Sequence, residues 1–129
     1  MMAGVTYDTG ALIAGDRNDR RMWALHVGFI AEDVVPSVPA PVVAEAWRGG
    51  PRQASLARML AGCDIEAMTS GMARRVGELA GRADHDDVVD VTVVEAAARR
   101  DDDVIVTSNE THIRQVVEAT GKRIRIETV

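Results

Sequence analysis

The sequence predicts an α/β fold with a mainly parallel central sheet flanked by helices. Three observations carry this. Short Val/Ile-rich runs alternate with longer amphipathic stretches along the whole chain. The apolar residues are mainly Ala, Val, Ile and Leu, which suits helices packed on a Val-rich sheet. A carboxylate, Asp8, closes the first strand-like run, where open α/β sheets place their chemistry. The 129 residues are read as a single domain, 1–129, long enough to bury a core.

Val5-Thr6-Tyr7 reads as the first strand, and Thr9-Gly10 turns the chain into a helix beginning at Ala11-Leu12-Ile13-Ala14. Gly15 to Asn18 is a break. Residues 20–31 form a helix with Met22, Leu25, Phe29 and Ile30 on its apolar side. Val34-Val35 is read as the second strand, ended by the run Pro36 to Pro41, and Pro41 suits the first turn of the helix that carries Glu45. Gly49-Gly50-Pro51 stops that helix. Arg52 to Leu60 is amphipathic, and Cys63 to Met68 alternates like a half-buried strand. Thr69 or Ser70 caps a helix whose apolar face holds Met72, Val76 and Leu79, and residues 81–85 form a polar loop.

Residues 88–100 are ambiguous by propensity, since Val and Thr favour a strand. Helix is preferred because Asp86 and Asp87 suit a helix start, Ala96-Ala97-Ala98 continues the run, and Arg99-Arg100 complements a helix C-terminus. After a turn at Asp101-Asp102-Asp103, Val104-Ile105-Val106 is a buried-type strand. Residues 110–120 form a helix closed by Gly121, and Ile124, Ile126 and Thr128 alternate in a last strand.

Composition narrows the function classes. No apolar run is long enough to span a membrane, and Met1 to Gly4 has no basic region of a secretory leader. The lone Cys63 excludes an internal disulfide framework, and a cytoplasmic protein is expected. A net charge of −5 argues against a protein that coats nucleic acid, but not against a nuclease with an acidic metal site. The cations are 14 Arg and one Lys, and Arg suits bidentate phosphate contacts.

Asp8, Glu45 and Asp90 each stand beside apolar residues rather than in a solvated charge run. Carboxylates so placed are costly unless paired, hydrogen-bonded or bound to metal. Asp87 precedes Asp90 by one helical turn and is an alternative third acid. An oxygen-rich set of this kind suits Mg²⁺, with Mn²⁺ as a substitute. Other enzyme classes fail on residues: the chain has no GxxxxGK[ST] loop and no GxSxG elbow. His26, His85 and His112 lack zinc-ligand spacing and read as ordinary surface or core histidines. A receiver domain or a haloacid-dehalogenase-like phosphatase would need further acids beside Asp8, where the chain has Thr9-Gly10.

Four motifs in order resemble the PIN-domain proteins, and more closely the VapC-type toxins of bacterial toxin–antitoxin pairs. They are Val5 to Leu12 with its Asp8-Thr9, Pro41 to Glu45, Asp90 to Ala97, and Val104 to Asn109 ending in Thr107-Ser108-Asn109. The Arg-, Ala- and Val-rich wording also resembles actinobacterial members. The resemblance implies a PIN-like three-layer fold and a Mg²⁺-dependent endoribonuclease that cleaves structured RNA, such as tRNA or rRNA, by metal-activated water. It further implies Asp8, Glu45 and Asp90 as metal holders, Asn109 as a fourth catalytic position, and Thr9 and Thr107 as supporting polar groups. A VapB-like antitoxin and a homodimer are the implied partners. Many relatives carry Asp where this chain has Asn109, which weakens a second-metal site. Arg17, Arg20, Arg21, Arg48 and Arg52, near the two early acids, are candidate RNA contacts. Trp23 and Trp47 either stack on bases or pack against protein. Two further readings stay open: an RNA-processing PIN nuclease without an antitoxin, and a PIN-fold binding module with little catalysis.

Overall fold

The structure, a computed structural model, describes residues 3–129. Met1 and Met2, which open the segment read as lacking a leader, lie outside them. Five strands form: β1 (Val5–Tyr7), β2 (Ser37–Pro39), β3 (Asp64–Glu66), β4 (Val104–Thr107) and β5 (Arg125–Thr128). They make one sheet in the order β3-β2-β1-β4-β5, and every pair is parallel. Val5 and Tyr7 of β1 and Val104, Ile105 and Val106 of β4 are buried, as expected for the centre of a parallel sheet covered on both faces.

Seven α-helices connect the strands: α1 (Thr9–Asp16), α2 (Arg20–Ala31), α3 (Ala40–Ala46), α4 (Ala54–Ala61), α5 (Ser70–Ala83), α6 (Val88–Arg99) and α7 (Glu110–Thr120). The chain steps from β1 to β2 to β3 in one direction, then from β3 across to β4 and on to β5 in the other. Right-handed crossovers therefore put α1–α4 on one face and α5–α7 on the other. Their packing agrees: α1 lies against α2, α3 and α4, while α5, α6 and α7 lie against one another.

α6 forms despite its valines because it is buried almost all round. Val91, Val93, Val94, Ala96 and Ala97 have no exposed surface, so tertiary burial overrides strand propensity. Asp87 caps it, with Oδ1 accepting the backbone N–H groups of Val89 at 3.0 Å and Asp90 at 3.1 Å. Its C-terminal end is fixed by arginines. Arg99 donates to Glu66 Oε1 at 2.5 Å and to Glu95 at 3.0 Å, and Arg100 donates to Glu66 Oε2 at 2.8 Å. Burial opposes ionisation of Glu66, but the Arg99 and Arg100 guanidiniums win and hold its carboxyl below the ordinary range. A lowered folded value stabilises above the unfolded value and is lost as pH falls through the folded one. Glu66→Gln is therefore expected to melt earlier than the parent at pH 7, with the gap closing under acid, as read by thermal denaturation across pH.

Several boundaries differ from the sequence reading. Residues 34 and 35 are not a strand; β2 is Ser37–Pro39 instead. Val35 is 56% exposed while Val38 is fully buried, and Pro36 and Pro39 offer no N–H, which keeps the strand short. β3 lies at the sheet edge, with Asp64 and Ile65 exposed, so it is more open than a half-buried strand. α1 starts at Thr9 and carries Gly15 within it, packed against Met59, so neither Gly10 nor Gly15 breaks the chain. α5 runs on to Ala83, where Asp84 in the left-handed region (φ 51°) ends it. Ile30 is exposed, and His26 takes an inner position of α2, its Nδ1 2.9 Å from the Tyr7 hydroxyl. Trp23 packs inward and donates to Gly15 O, whereas Trp47 is 40% exposed. Cys63 is half-buried, and burial pushes its thiol up to about 12, so it is no nucleophile. Among the described residues no helix is long and apolar enough to cross a membrane.

Candidate metal centre

β1 and β4 are neighbours whose connections leave in opposite directions, which opens a crevice at their C-terminal ends. Asp8 follows β1 directly. Its backbone N–H donates to Val106 O at 2.9 Å, and it is the N-cap of α1. Three helices begin at this edge: α1 after Asp8, α6 after Asp87 and α7 after Asn109. Their N-terminal N–H groups favour negative charge there.

The Asp8 carboxylate is held from two sides. Oδ1 accepts the Thr9 backbone N–H at 2.7 Å, and Oδ2 accepts the Thr107 hydroxyl at 2.7 Å. The Thr9 hydroxyl donates to Glu45 Oε1 at 2.6 Å, so one residue ties the first two acids together. The Asn109 N–H donates to Thr107 Oγ1 at 2.9 Å, which orients that hydroxyl toward Asp8. Asp8 is only 4% exposed. Burial raises its pKa above the ordinary value; the Thr107 and Thr9 hydrogen bonds oppose this, and the charges of Asp90 and Glu45 add to it. Asp90, on the first turn of α6, is 7% exposed and shifts the same way. Burial is again the largest cause, opposed by a hydrogen bond from His85, while the charge of Asp87 adds to the rise.

Asp8 thus feels the charges of both Asp90 and Glu45, and among the described residues no Lys or Arg pairs with any of the three. Concentrated carboxylate charge with no Lys or Arg to pair it is the donor chemistry that fits a hard divalent cation such as Mg²⁺. Asp87 is exposed and spends Oδ1 on the helix cap, so Asp90 is the better placed of the two candidate third acids.

The acids do not form the tightest donor group. Among the described residues, the His, Cys, Asp and Glu ligand atoms lying within 4.8 Å of one another belong to His85, Asp90 and His112. His85 Nε2 is 3.1 Å from Asp90 Oδ2, and His112 Nδ1 is 3.9 Å from the same oxygen. The side-chain amide of Asn109 lies 2.8 Å from His112 Nδ1 and contacts no carboxylate. His85 and His112, by sequence ordinary surface or core histidines, both lie against Asp90, because the loop before α6 and the first turn of α7 meet there.

The candidate RNA contacts divide. Arg17, Arg20, Arg48 and Arg52 are exposed. Arg48 folds back on Ala44 O and Trp47 O at 3.1 and 2.8 Å. Arg21 is committed to β5, donating to Glu127 Oε1 at 2.7 Å and to Thr128 O at 3.1 Å.

No family model matches the sequence, and no curated protein matches it. The structure is similar to a chain in the crystal structure of VapBC2 from Rickettsia felis bound to a DNA fragment from their promoter. The TM-score is 0.73, over 97% of this chain and 98% of that one, at 13% sequence identity. The fold is PIN-like. At that identity the likeness speaks for the fold, and the five parallel strands with helices on both faces match the expected architecture. In this PIN-like chain the β1/β4 crevice brings together acids carried by β1, α3 and α6.

Proposed function

We propose that the chain is a metal-dependent endoribonuclease and the toxin of a toxin–antitoxin pair. One observation carries the reading: Asp8, Glu45 and Asp90 gather their charge, with no Lys or Arg paired to any of them, at the switch point of a PIN-like sheet. Asp8, Glu45 and Asp90 would hold Mg²⁺, or Mn²⁺ in its place. When bound, the cation activates a water at neutral pH and steadies negative charge on a phosphate.

The chain's own residues set the geometry. Thr9 and Thr107 fix the buried Asp8 carboxylate, which arrives with little freedom left to lose, and the Thr9 hydroxyl steers the exposed Glu45 toward it. Asn109 supports them indirectly, through its N–H to Thr107. Thr107→Val removes the hydroxyl that Asp8 accepts from and is expected to slow cleavage about tenfold or more while the protein stays folded. Circular dichroism beside a cleavage assay checks both halves. Exposed Arg17, Arg20 and Arg48 would meet RNA phosphates. Structured RNA such as tRNA or rRNA is the proposed substrate, a VapB-like antitoxin the proposed partner, and a homodimer the proposed assembly. The partner proposal draws on the likeness to the VapBC2 chain.

Controlled expression in a bacterial host tests the toxin reading. Growth should stop, Glu45→Gln should restore it, and a small protein encoded beside the gene should relieve the arrest. An arrest that ignores Glu45→Gln would sink the nuclease reading; an arrest that no neighbouring product relieves would favour an RNA-processing nuclease. A second reading, a PIN-fold binding module with weak catalysis, is favoured by Asn109, whose neutral amide faces His112 rather than an acid.

A further inference from the structure

We infer that His85, Asp90 and His112 form a binding site for a borderline divalent cation, with Zn²⁺ as its best fit. Two imidazoles and one carboxylate are a ligand set for Zn²⁺ and its transition-metal neighbours, whereas Mg²⁺ takes oxygen ligands. Zinc bonds of about 2.0–2.2 Å in a tetrahedral arrangement place ligand atoms roughly 3.3–3.6 Å apart. The two separations to Asp90 Oδ2, 3.1 and 3.9 Å, straddle that span. All three ligand atoms lie within 4.8 Å of one another. Small movements of the side chains close the set.

The backbone that carries these ligands is already fixed. His85 follows the left-handed Asp84, and its N–H donates to Ala80 O at 3.1 Å. Gln115 of α7 donates to Ala83 O and Asp84 O at 3.0 and 3.3 Å, which clamps the His85 loop to the helix bearing His112. Asp90 sits in a capped first turn. The imidazoles meet edge to face at 5.5 Å between ring centroids, and each turns one nitrogen toward Asp90 Oδ2. His85 and Asp90 side chains are each 10% exposed, and His112 is 55% exposed. Two ligands are thus walled in, and the third opens to solvent, where a water completes four-coordination. Binding releases the Asn109 contact with His112.

The ligand set stands independently of the nuclease reading. Only one consequence rests on it: Zn²⁺ draws Asp90 away from Asp8 and Glu45, so Zn²⁺ opposes Mg²⁺-dependent cleavage. The test is a binding measurement that needs no RNA. Chelator-treated protein is titrated with Zn²⁺ by calorimetry in Mg²⁺-free buffer, and with Co²⁺ while its visible bands are recorded. One equivalent should bind, with tetrahedral Co²⁺ bands. His112→Gln, at an exposed position, and His85→Gln should each weaken Zn²⁺ by at least about tenfold. Asp8→Asn should retain binding, since Asp8 contributes no ligand. Absence of Zn²⁺ binding, equal binding in both histidine variants, or loss of binding in Asp8→Asn overturns the proposal. Melting curves confirm that each variant is folded. None of these results bears on RNA cleavage in Mg²⁺, which is measured separately.

Discussion

Asp8→Asn is expected to lower RNA cleavage about 100-fold or more while making the metal-free protein more stable at neutral pH. The two effects share a cause. Burial, reinforced by the charges of Asp90 and Glu45, raises the Asp8 pKa in the folded state against the pull of Thr107 and Thr9. A raised carboxyl value gives stability that is complete below the unfolded pKa and lost as pH rises through the folded one. At pH 7 the ionised Asp8 is therefore a burden on the fold, and asparagine removes it. The variant should melt higher than the parent at pH 7, and the difference should shrink toward acid. Mg²⁺ should raise the melting temperature of the parent by binding only the native state, and should do little for the variant. A variant that melts at or below the parent across this range would refute the electrostatic account.

Gly10→Ala is expected to damage both stability and site. A Cβ at Gly10 would lie 2.6 Å from the backbone nitrogen of Ser108 and equally close to its Cβ, besides meeting the Ser108 hydroxyl. Backbone cannot swing aside as a side-chain tip can, so the first turn of α1 and the end of β4 must separate. Overpacking of this kind costs roughly 1–3 kcal/mol. The strain falls on the seam that the Thr107–Asp8 hydrogen bond closes, so cleavage should drop together with melting temperature. Thermal denaturation and a cleavage assay on the same preparation check this. Unchanged melting would mean that α1 and β4 are not held as closely as described.

The central part of the fold was legible because its signals are local. Val5 to Asp8, Val88 to Arg99 and Val104 to Thr107 carry strand-end and capping residues beside their apolar runs, and they form the elements expected of them. Propensity points to Val34-Val35 for β2, above Ser37-Val38-Pro39, yet the strand forms at Ser37–Pro39. The native choice depends on which valine the sheet buries, and that is a tertiary fact. By sequence Gly10 looks like a turn former, but its φ is not positive; what it supplies is room beside Ser108, a residue 98 positions away. The acids were found because each interrupts an apolar run. His85 and His112 were not, because each sits in polar sequence and gains meaning only where α5, α6 and α7 meet.

The central claim is that Asp8, Glu45 and Asp90 make one Mg²⁺-dependent site for phosphodiester hydrolysis. Its most direct measurement is incubation of the purified protein with total RNA, with and without Mg²⁺, followed by mapping of the cleaved ends. The account predicts discrete ends that require a divalent cation and disappear in Asp8→Asn and Asp90→Asn. Intact RNA with every divalent cation tried, or identical ends from parent and both variants, would contradict it.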